Sequence, residues 1–352
     1  MKKVIFALAA VVALAACSNE QTVSFDKGEA IGFDTFIENS TRAAYDGSYT
    51  NATLASFQVY GTVTGTGEGE QTANIFDGVV VTKGEEGVGT NGWAYDVLYK
   101  QYWIPGNNYA FFAIADGNVA NTTEVVKNDV NMPTSIKLYD ASQQCDILTA
   151  DASVENYEKT TNGTNVPFTF KHIMSKAKFT FKNTIAVDTG YSYKVTNVEI
   201  LNAPMAGVYT ITDGDSGVWA FVDADQDGNN DTYTLAFGDV VANGKASEFE
   251  AAYNLAYNTS AESNYDRLLV PGQQLLEVQF DYQLFKDGNL VDTQVNVETS
   301  ANVTLVSGNA YNFVVALGEP GDPITFSLET ITAWDEDSND ENSVNDNEYE
   351  FE

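Results

Sequence analysis

The chain contains the stretch Val166-Pro167-Phe168-Thr169-Phe170-Lys171-His172-Ile173-Met174-Ser175-Lys176-Ala177-Lys178-Phe179-Thr180-Phe181-Lys182, in which apolar and polar residues alternate. A period of two puts successive side chains on opposite faces of a β-strand. The alternation breaks around Ile173 and Met174 and then resumes. The stretch therefore predicts two successive strands, each with one apolar face.

The same alternation recurs along the chain between turns rich in Gly, Asn and Asp. The further alternating runs are Phe57–Thr64, Tyr109–Ile114, Tyr193–Ile200, Leu276–Tyr282 and Asn302–Leu305. After residue 17 the sequence shows no long apolar stripe with the 3.6-residue spacing of a helix. We therefore predict an all-β protein whose one-sided sheets pack as sandwiches.

The charge of the chain is strongly negative, with 50 acidic residues against 17 lysines and arginines and a formal net charge of −33. Nucleic acid and anionic lipid surfaces both attract basic proteins, so the composition argues against either as a partner. The two arginines are Arg42 and Arg267. Such scarcity makes each arginine a candidate for a specific role.

The N-terminal residues have the pattern of an export signal. Lys2 and Lys3 precede the apolar run Val4–Leu14, which is too short to cross a bilayer core of about 30 Å. Small residues then lead directly to Cys17, and this resembles the lipobox of bacterial lipoproteins. The resemblance implies that Cys17 is acylated, with chains such as palmitate, and anchors the protein to the membrane. The alternative is an ordinary secretory signal that is cut at an Ala-x-Ala-like site.

The length of the chain predicts two domains in tandem after the signal. A turn followed by an aromatic strand occurs twice, at residues 106–113 and 308–316, as two related sandwiches would show. The predicted segments are a signal peptide (1–16), a tether with a removable strand (17–42), an N-terminal sandwich (43–186), a C-terminal sandwich (187–334) and an acidic tail (335–352). Half of the tail residues are acidic, so we expect the tail to lack a packed core.

One acidic loop has the spacing of a calcium site. Oxygen-bearing side chains alternate at Asp223, Asp225, Asp227, Asn229 and Asp231, as in the opening of an EF-hand loop. Position twelve of that pattern is Thr234, where a bidentate Glu is expected. The flanking residues are typical of strands, so a surface hairpin is the favoured interpretation and weak calcium binding the alternative; no other cofactor is predicted.

The residues give little support to an enzyme. His172 is the sole histidine, so any histidine-based triad or zinc site would have to be built around this one residue, and the sequence argues against both. We interpret His172 as a structural strand residue and Cys145 as a small buried apolar group. The aromatic residues between Trp93 and Trp103 are interpreted as core, with a sugar-binding platform as the alternative.

Several motifs in a fixed order resemble the fimbrillin-like (Mfa-like) lipoproteins of the Bacteroidales. They are the lipobox, Ser40-Thr41-Arg42-Ala43, Tyr102-Trp103-Ile104-Pro105-Gly106, Asp146-Ile147-Leu148-Thr149-Ala150, Val166–Phe179 and Ile331-Thr332-Ala333-Trp334. Each motif is degenerate alone, but together they cover nearly the whole chain. The resemblance implies two transthyretin-like β-sandwich domains and a role as a type V pilus subunit at the outer membrane and in the fimbrium.

The resemblance also implies how the subunit would assemble. An arginine-specific protease would cut the surface lipoprotein after an N-terminal strand, and a strand from another fimbrial subunit would fill the opened groove. Arg42 is the predicted cleavage site, because it follows the strand-like Ile31–Phe36 and is flanked by small residues, and Ala43 would begin the mature subunit. Stalk, tip and anchor roles all stay open. The alternative is a monomeric surface lipoprotein that binds glycan or host matrix.

Overall fold

The computed structural model describes residues 28–37, 53–66, 69–84, 86–89, 92–116, 122–159, 165–185, 187–214, 216–223, 230–241 and 254–333. The described chain is almost entirely β-structure, which confirms the predicted class. Two short 3-10 turns are present, Val97–Tyr99 and Ala141–Gln143. No helix in these ranges is long and apolar enough to cross a membrane.

The strands are numbered in chain order. They are β1 Gly32–Ile37, β2 Ser56–Thr64, β3 Thr72–Lys83, β4 Trp93–Ala94, β5 Asn108–Ala115, β6 Thr123–Lys127, β7 Pro133–Leu138, β8 Leu148–Val154, β9 Asn165–His172, β10 Ser175–Asn183, β11 Tyr191–Pro204, β12 Gly207–Asp213, β13 Ser216–Phe221, β14 Thr232–Gly238, β15 Val240–Val241, β16 Asn254–Leu255, β17 Ser260–Ser263, β18 Arg267–Leu269, β19 Gly272–Lys286, β20 Asn289–Leu305, β21 Asn309–Leu317 and β22 Thr325–Ala333. Every alternating run named above lies in one of these strands.

The first half of the chain forms one curled sheet of seven strands. Their order is β1-β9-β8-β5-β2-β3-β4. The two end strands, β1 and β4, contact each other, so the sheet nearly closes on itself. Inside it lies the first core, which is rich in aromatic rings such as Phe33, Phe57, Phe111 and Trp103.

The second half forms two sheets that pack face to face. One has the order β15-β17-β10-β21-β22, with β18 also paired to β10, and the other has the order β14-β11-β19-β20, with β16 paired to β11. The second core between them takes Phe179 and Phe313 from one sheet and Val195 and Phe280 from the other. Alternation predicts this arrangement, because each of these strands turns one face inward.

A fourth sheet, ordered β13-β12-β7-β6, joins the two halves. Strand β12 pairs with β7, for example Tyr209 with Ile136, although the two strands are far apart in sequence. A central core beneath this sheet combines residues of both halves, including Tyr60, Phe112 and Leu268. The two halves are therefore joined through a common apolar core.

Two elements cross the domain limits predicted from the sequence. Strand β10, which those limits assign to the N-terminal sandwich, packs in the second core. The β12–β13 hairpin, assigned to the C-terminal sandwich, pairs with β7. The limits at 43–186 and 187–334, like the transthyretin-like description, stay predictions.

Candidate functional site

Strand β1 lies at the end of the seven-stranded sheet and pairs there with β9, while the residues just before it pair with a second segment. It runs parallel to β9, in register from Gly32 beside Asn165 to Ile37 beside Phe170. Just before it, residues 29–31 pair with residues 101–103: the Ile31 amide donates to the Gln101 carbonyl at 3.0 Å, and the Trp103 amide donates to the Glu29 carbonyl at 3.0 Å. The N-terminal segment thus closes the seam between two edges of the sheet.

The inner face of this segment fills the first core. Ile31, Phe33 and Ile37 are buried, whereas Phe36 on the other face is 55% exposed. The Phe33 ring stacks on Phe168, with ring centres 5.7 Å apart. Its other ring neighbours, between 5.4 and 6.4 Å away, are Phe57, Phe76, Tyr95 and Phe111. Burying a phenyl group in such a cage is a large favourable contribution, so Phe33 is a main anchor of β1.

Polar contacts fix the register of the segment. The Tyr95 hydroxyl donates to the Ile31 carbonyl at 2.8 Å, and Asn165 Nδ2 donates to Asp34 Oδ1 at 3.1 Å. Burial raises the pKa of Tyr95 to about 12, so this donor keeps its proton well beyond neutral pH. These bonds place the apolar residues opposite their pockets.

Close backbone approach favours glycine at Gly28, and at Gly32 an added side chain would meet the side chain of Asn165. A Cβ atom at Gly28 would lie 2.5 Å from the Trp103 carbonyl oxygen. A Cβ atom at Gly32 would lie 2.2 Å from Asn165 Oδ1. Any other strand in this position needs small residues at the same points, or the neighbouring groups must shift.

The chemistry available at this seam is strand addition. Loss of the N-terminal segment would leave the backbone donors and acceptors of β9 and of residues 101–103 without their present partners, beside empty aromatic pockets. Unpaired sheet edges of this kind bind extended peptides through main-chain hydrogen bonds, with the pockets selecting side chains. The site is thus a groove that is now filled by its own strand.

The predicted processing residues lie beside this site in sequence. Cys17, Arg42 and Ala43 fall outside the described residues, as does the acidic tail. The predicted removable strand is present as β1, whose last residue, Ile37, is five positions before Arg42. The second arginine, Arg267, lies within β18, which pairs with β10; its Nε donates to the Ala236 carbonyl at 2.7 Å.

The acidic loop is only partly described. Asp223 and Asp231 are described, and Asp225, Asp227 and Asn229 lie outside the described residues. The flanking strands β13 and β14 exist, but they belong to different sheets, so the predicted surface hairpin is wrong. Strand β13 belongs to the fourth sheet and β14 to a sheet of the second half. Calcium binding stays a prediction, which isothermal titration with calcium tests. Among the described residues, no group of three His, Cys, Asp or Glu side chains could hold a metal ion.

The remaining candidates lie in the cores. His172 is the last residue of β9 and is buried, with Nδ1 3.0 Å from Asp146 Oδ1, so it is a structural strand residue as predicted. Cys145 is buried as predicted and lies just before β8; burial raises the pKa of its thiol to about 12. Of the aromatic candidates, Trp93, Tyr95 and Trp103 are buried.

The sequence alone did not predict residues 101–103 as the second side of the groove, nor most of the aromatic pocket. Phe57, Phe76 and Phe111 come from three different strands, and no local pattern links them to Phe33. The pairing of residues 29–31 with 101–103 is a contact across about seventy residues. Gly28 and Gly32 were the available signal, since glycines inside an extended segment often mark close backbone approach.

Comparison with known proteins adds evidence about the family. The fimbrillin-like family model matches residues 41–334, and the comparison with curated proteins finds no match. A fimbrial protein from Bacteroides vulgatus ATCC 8482 superposes with a TM-score of 0.62 at 15% identity, over 87% of this chain and 100% of its own. The fimbrial anchor protein Mfa2 from Porphyromonas gingivalis aligns at 8% identity with a TM-score of 0.31, over 87% of this chain and 98% of its own.

The likeness to the Bacteroides vulgatus protein supports the fold, while the family match spans most of the chain. That match begins at residue 41, just after the segment that closes the seam. The chain belongs to the fimbrillin-like family.

Proposed function

We propose that this chain is a non-enzymatic fimbrial subunit, exported as a lipoprotein through Cys17 and activated for strand exchange by proteolysis after Arg42. The observation that carries the proposal is the placement of β1. It is the first described strand, lies at a sheet edge, and fills an aromatic pocket through one residue, Phe33. Family membership and the start of the family match at residue 41 support the same function.

Proteolysis would act by changing the strand from an intramolecular to an intermolecular ligand. While residues 28–37 are covalently attached, they fill the groove at high effective concentration and exclude a partner. After a cut at Arg42 the segment can dissociate, and a strand from another subunit can take its place. The cut thus controls when assembly begins. It also separates the subunit from its lipid anchor, which stays on the severed segment.

Arg267 provides a matched control for the cleavage. Its backbone is paired to β10, and its guanidinium lies 4.4 Å from the Tyr265 ring centre. Proteases bind an extended segment through its backbone, and the backbone of Arg267 is already paired within a sheet. This arginine should therefore resist cleavage. We expect an arginine-specific protease to cut the wild type and Arg267→Lys at Arg42 and to leave Arg42→Ala uncut. N-terminal sequencing of the product should begin at Ala43.

Assembly then tests the function itself. The cleaved wild type should give ladders on an unheated detergent gel and filaments in electron micrographs, and Arg42→Ala should stay monomeric and membrane-bound. Polymers from Arg42→Ala would contradict the proposal. A surface form that keeps both Cys17 and β1 would instead indicate an anchor subunit. Sequencing the N-terminus of the mature protein therefore distinguishes an anchor from a polymerising subunit.

The alternative is a monomeric lipoprotein that binds glycan or host matrix. Three of its candidate aromatic residues are buried, which leaves Tyr99 and Tyr102 as the accessible ones. Glycan-array binding by a protein that never assembles would favour this alternative.

A further inference from the structure

Asn165, the first residue of β9, contacts the strand in the groove at two points. It is paired in register with Gly32, and its Nδ2 donates to Asp34 Oδ1 at 3.1 Å. An ionised carboxylate only accepts hydrogen bonds, so Nδ2 is the end of the amide that faces Asp34. Oδ1 is the end that faces Gly32, where an added Cβ atom would lie 2.2 Å from it. One amide group therefore contacts residues 32 and 34 together.

The contact with Asn165 explains why residue 32 is glycine. Gly32 lies in a regular strand, without the positive φ that favours glycine at turns elsewhere in the chain. Glycine weakens a strand interior, because it packs no side chain and loses more backbone entropy on folding. The local conformation would therefore favour a larger residue, and it is the space taken by the Asn165 amide that excludes one.

The two contacts are coupled because the amide is planar and rigid. A larger residue at position 32 fits only if the Asn165 side chain rotates, since its Oδ1 is buried against the strand. The same rotation carries Nδ2 away from Asp34, because both atoms are bonded to one carbon. An added methyl group at position 32 thus costs the space it occupies and also the hydrogen bond to Asp34.

Phe33 lies between the two contacted positions and points to the opposite face. Its ring is surrounded by five aromatic rings with centres 5.4 to 6.4 Å away. Three consecutive residues are therefore restricted by different chemistry: no side chain at 32, an aromatic ring at 33 and an acceptor at 34. A fourth restriction lies at Gly28, where a Cβ atom would be 2.5 Å from a backbone oxygen of Trp103.

The pairing partners of the segment fix its direction. Strand β1 runs parallel to β9, and Ala30 just before it forms an antiparallel bridge with Tyr102. Parallel and antiparallel ladders space their hydrogen bonds differently. A strand that ran the other way would therefore meet both sides of the groove with the wrong spacing of donors and acceptors.

We propose that Asn165 is a specificity-determining residue of the groove. It restricts the incoming strand to one that runs parallel to β9 and presents glycine, an aromatic residue and a side-chain acceptor in succession, as Gly32-Phe33-Asp34 does. The inference rests on the proposed function and names the chemistry of the partner: an extended segment of another subunit with this sequence and a small residue four positions before the glycine.

Peptide binding to the full-length chain after cleavage at Arg42 tests the selection. Fluorescein-labelled peptides of residues 28–37 are followed by anisotropy, and all of them compete with the same severed segment, so affinity ratios between peptides are unaffected by it. The Gly32→Ala peptide should bind about tenfold more weakly than the native peptide. The Phe36→Ala peptide should bind like the native one, and a peptide of reversed sequence should not bind.

The cleaved variant Asn165→Ala gives a readout that a merely structural role would not change. Its groove should bind the Gly32→Ala peptide within about threefold of the native peptide, because the added methyl group then meets no amide. The Asp34→Ala peptide, weaker than the native one on the wild type, should bind this variant equally well. The Phe33→Ala peptide should stay at least about tenfold weaker on both proteins, which shows that the pocket is intact.

A second measurement needs only the wild-type groove. Since a rotated amide has already lost Asp34, a peptide with both Gly32→Ala and Asp34→Ala should bind no more weakly than the Gly32→Ala peptide. Additive losses, or an equal loss for the Gly32→Ala peptide on both grooves, overturn the selection by Asn165 and leave strand exchange intact.

Failure of the proposed function gives a different result. If the native peptide binds neither protein and the cleaved wild type forms no polymers, strand exchange fails and the selection fails with it. Polymers that form although the native peptide binds neither protein would show that assembly does not use this groove, which overturns both.

Discussion

Phe33 shows how a buried side chain anchors the strand that fills the groove. Its ring lies among five other aromatic rings, while Phe36, three positions later, lies on the solvent side of the same strand. The sequence predicts the strand and its alternation. It does not predict the cage, because the pocket rings come from β2, β3, β5, β9 and Tyr95, the residue after β4, and meet only in the folded sheet.

Truncating Phe33 should destabilise the uncut protein far more than truncating Phe36. We expect Phe33→Ala to lower the free energy of unfolding by about 3–5 kcal/mol through lost burial and the cavity left behind. Phe36→Ala, on the exposed face, should change it by no more than about 0.5 kcal/mol. Urea unfolding followed by tryptophan fluorescence measures both, and equal effects would show that the cage does not hold β1.

Among the elements, the edge strand β20 has features that discourage pairing with another chain. Its pairing with β19 shifts register twice, and Asn296 adopts a φ of 54° at the second shift. The Asn296 amide donates to Asp281 Oδ1 at 2.8 Å, which fixes the irregularity. Bulges and polar residues on an edge discourage pairing with another chain. Alternation alone predicts a regular strand at residues 302–305 and gives no sign of these bulges.

The left-handed conformation at Asn296 is a testable part of this edge. Asn296→Gly should leave stability almost unchanged, because glycine adopts positive φ without strain. Asn296→Val should cost about 1–2 kcal/mol, since a β-branched side chain clashes with the backbone there. Urea unfolding of the two variants side by side gives the comparison. A valine variant as stable as the glycine variant would indicate that the bulge relaxes to a regular strand.

In the whole molecule, the central core and polar contacts join the two halves. Gln144 shows the coupling: its side chain bonds Tyr233 at 3.1 Å and both backbone groups of Leu268, at 2.8 and 3.0 Å, from a position in the first half. Composition and strand patterns predict the all-β class and a two-part chain. They could not predict the β7–β12 pairing, because nothing local in either strand specifies a partner seventy residues away.

Each of the three cores contains a buried tyrosine, and these tyrosines should make the stability of the protein fall at alkaline pH. Burial is the main cause that raises the pKa of Tyr60, Tyr95 and Tyr193 to about 12. The unfolded chain releases these protons near pH 10, so above that pH the folded state holds more protons than the unfolded state. Stability from the three phenols should therefore be complete below about pH 10 and be lost as the pH rises toward 12. Urea midpoints across this range measure the loss.

Tyr95→Phe should be less stable at neutral pH, because it lacks the bond to Ile31, but its midpoint should fall less steeply in alkali. An identical pH slope in the variant and the wild type would show that Tyr95 does not contribute to the alkaline transition.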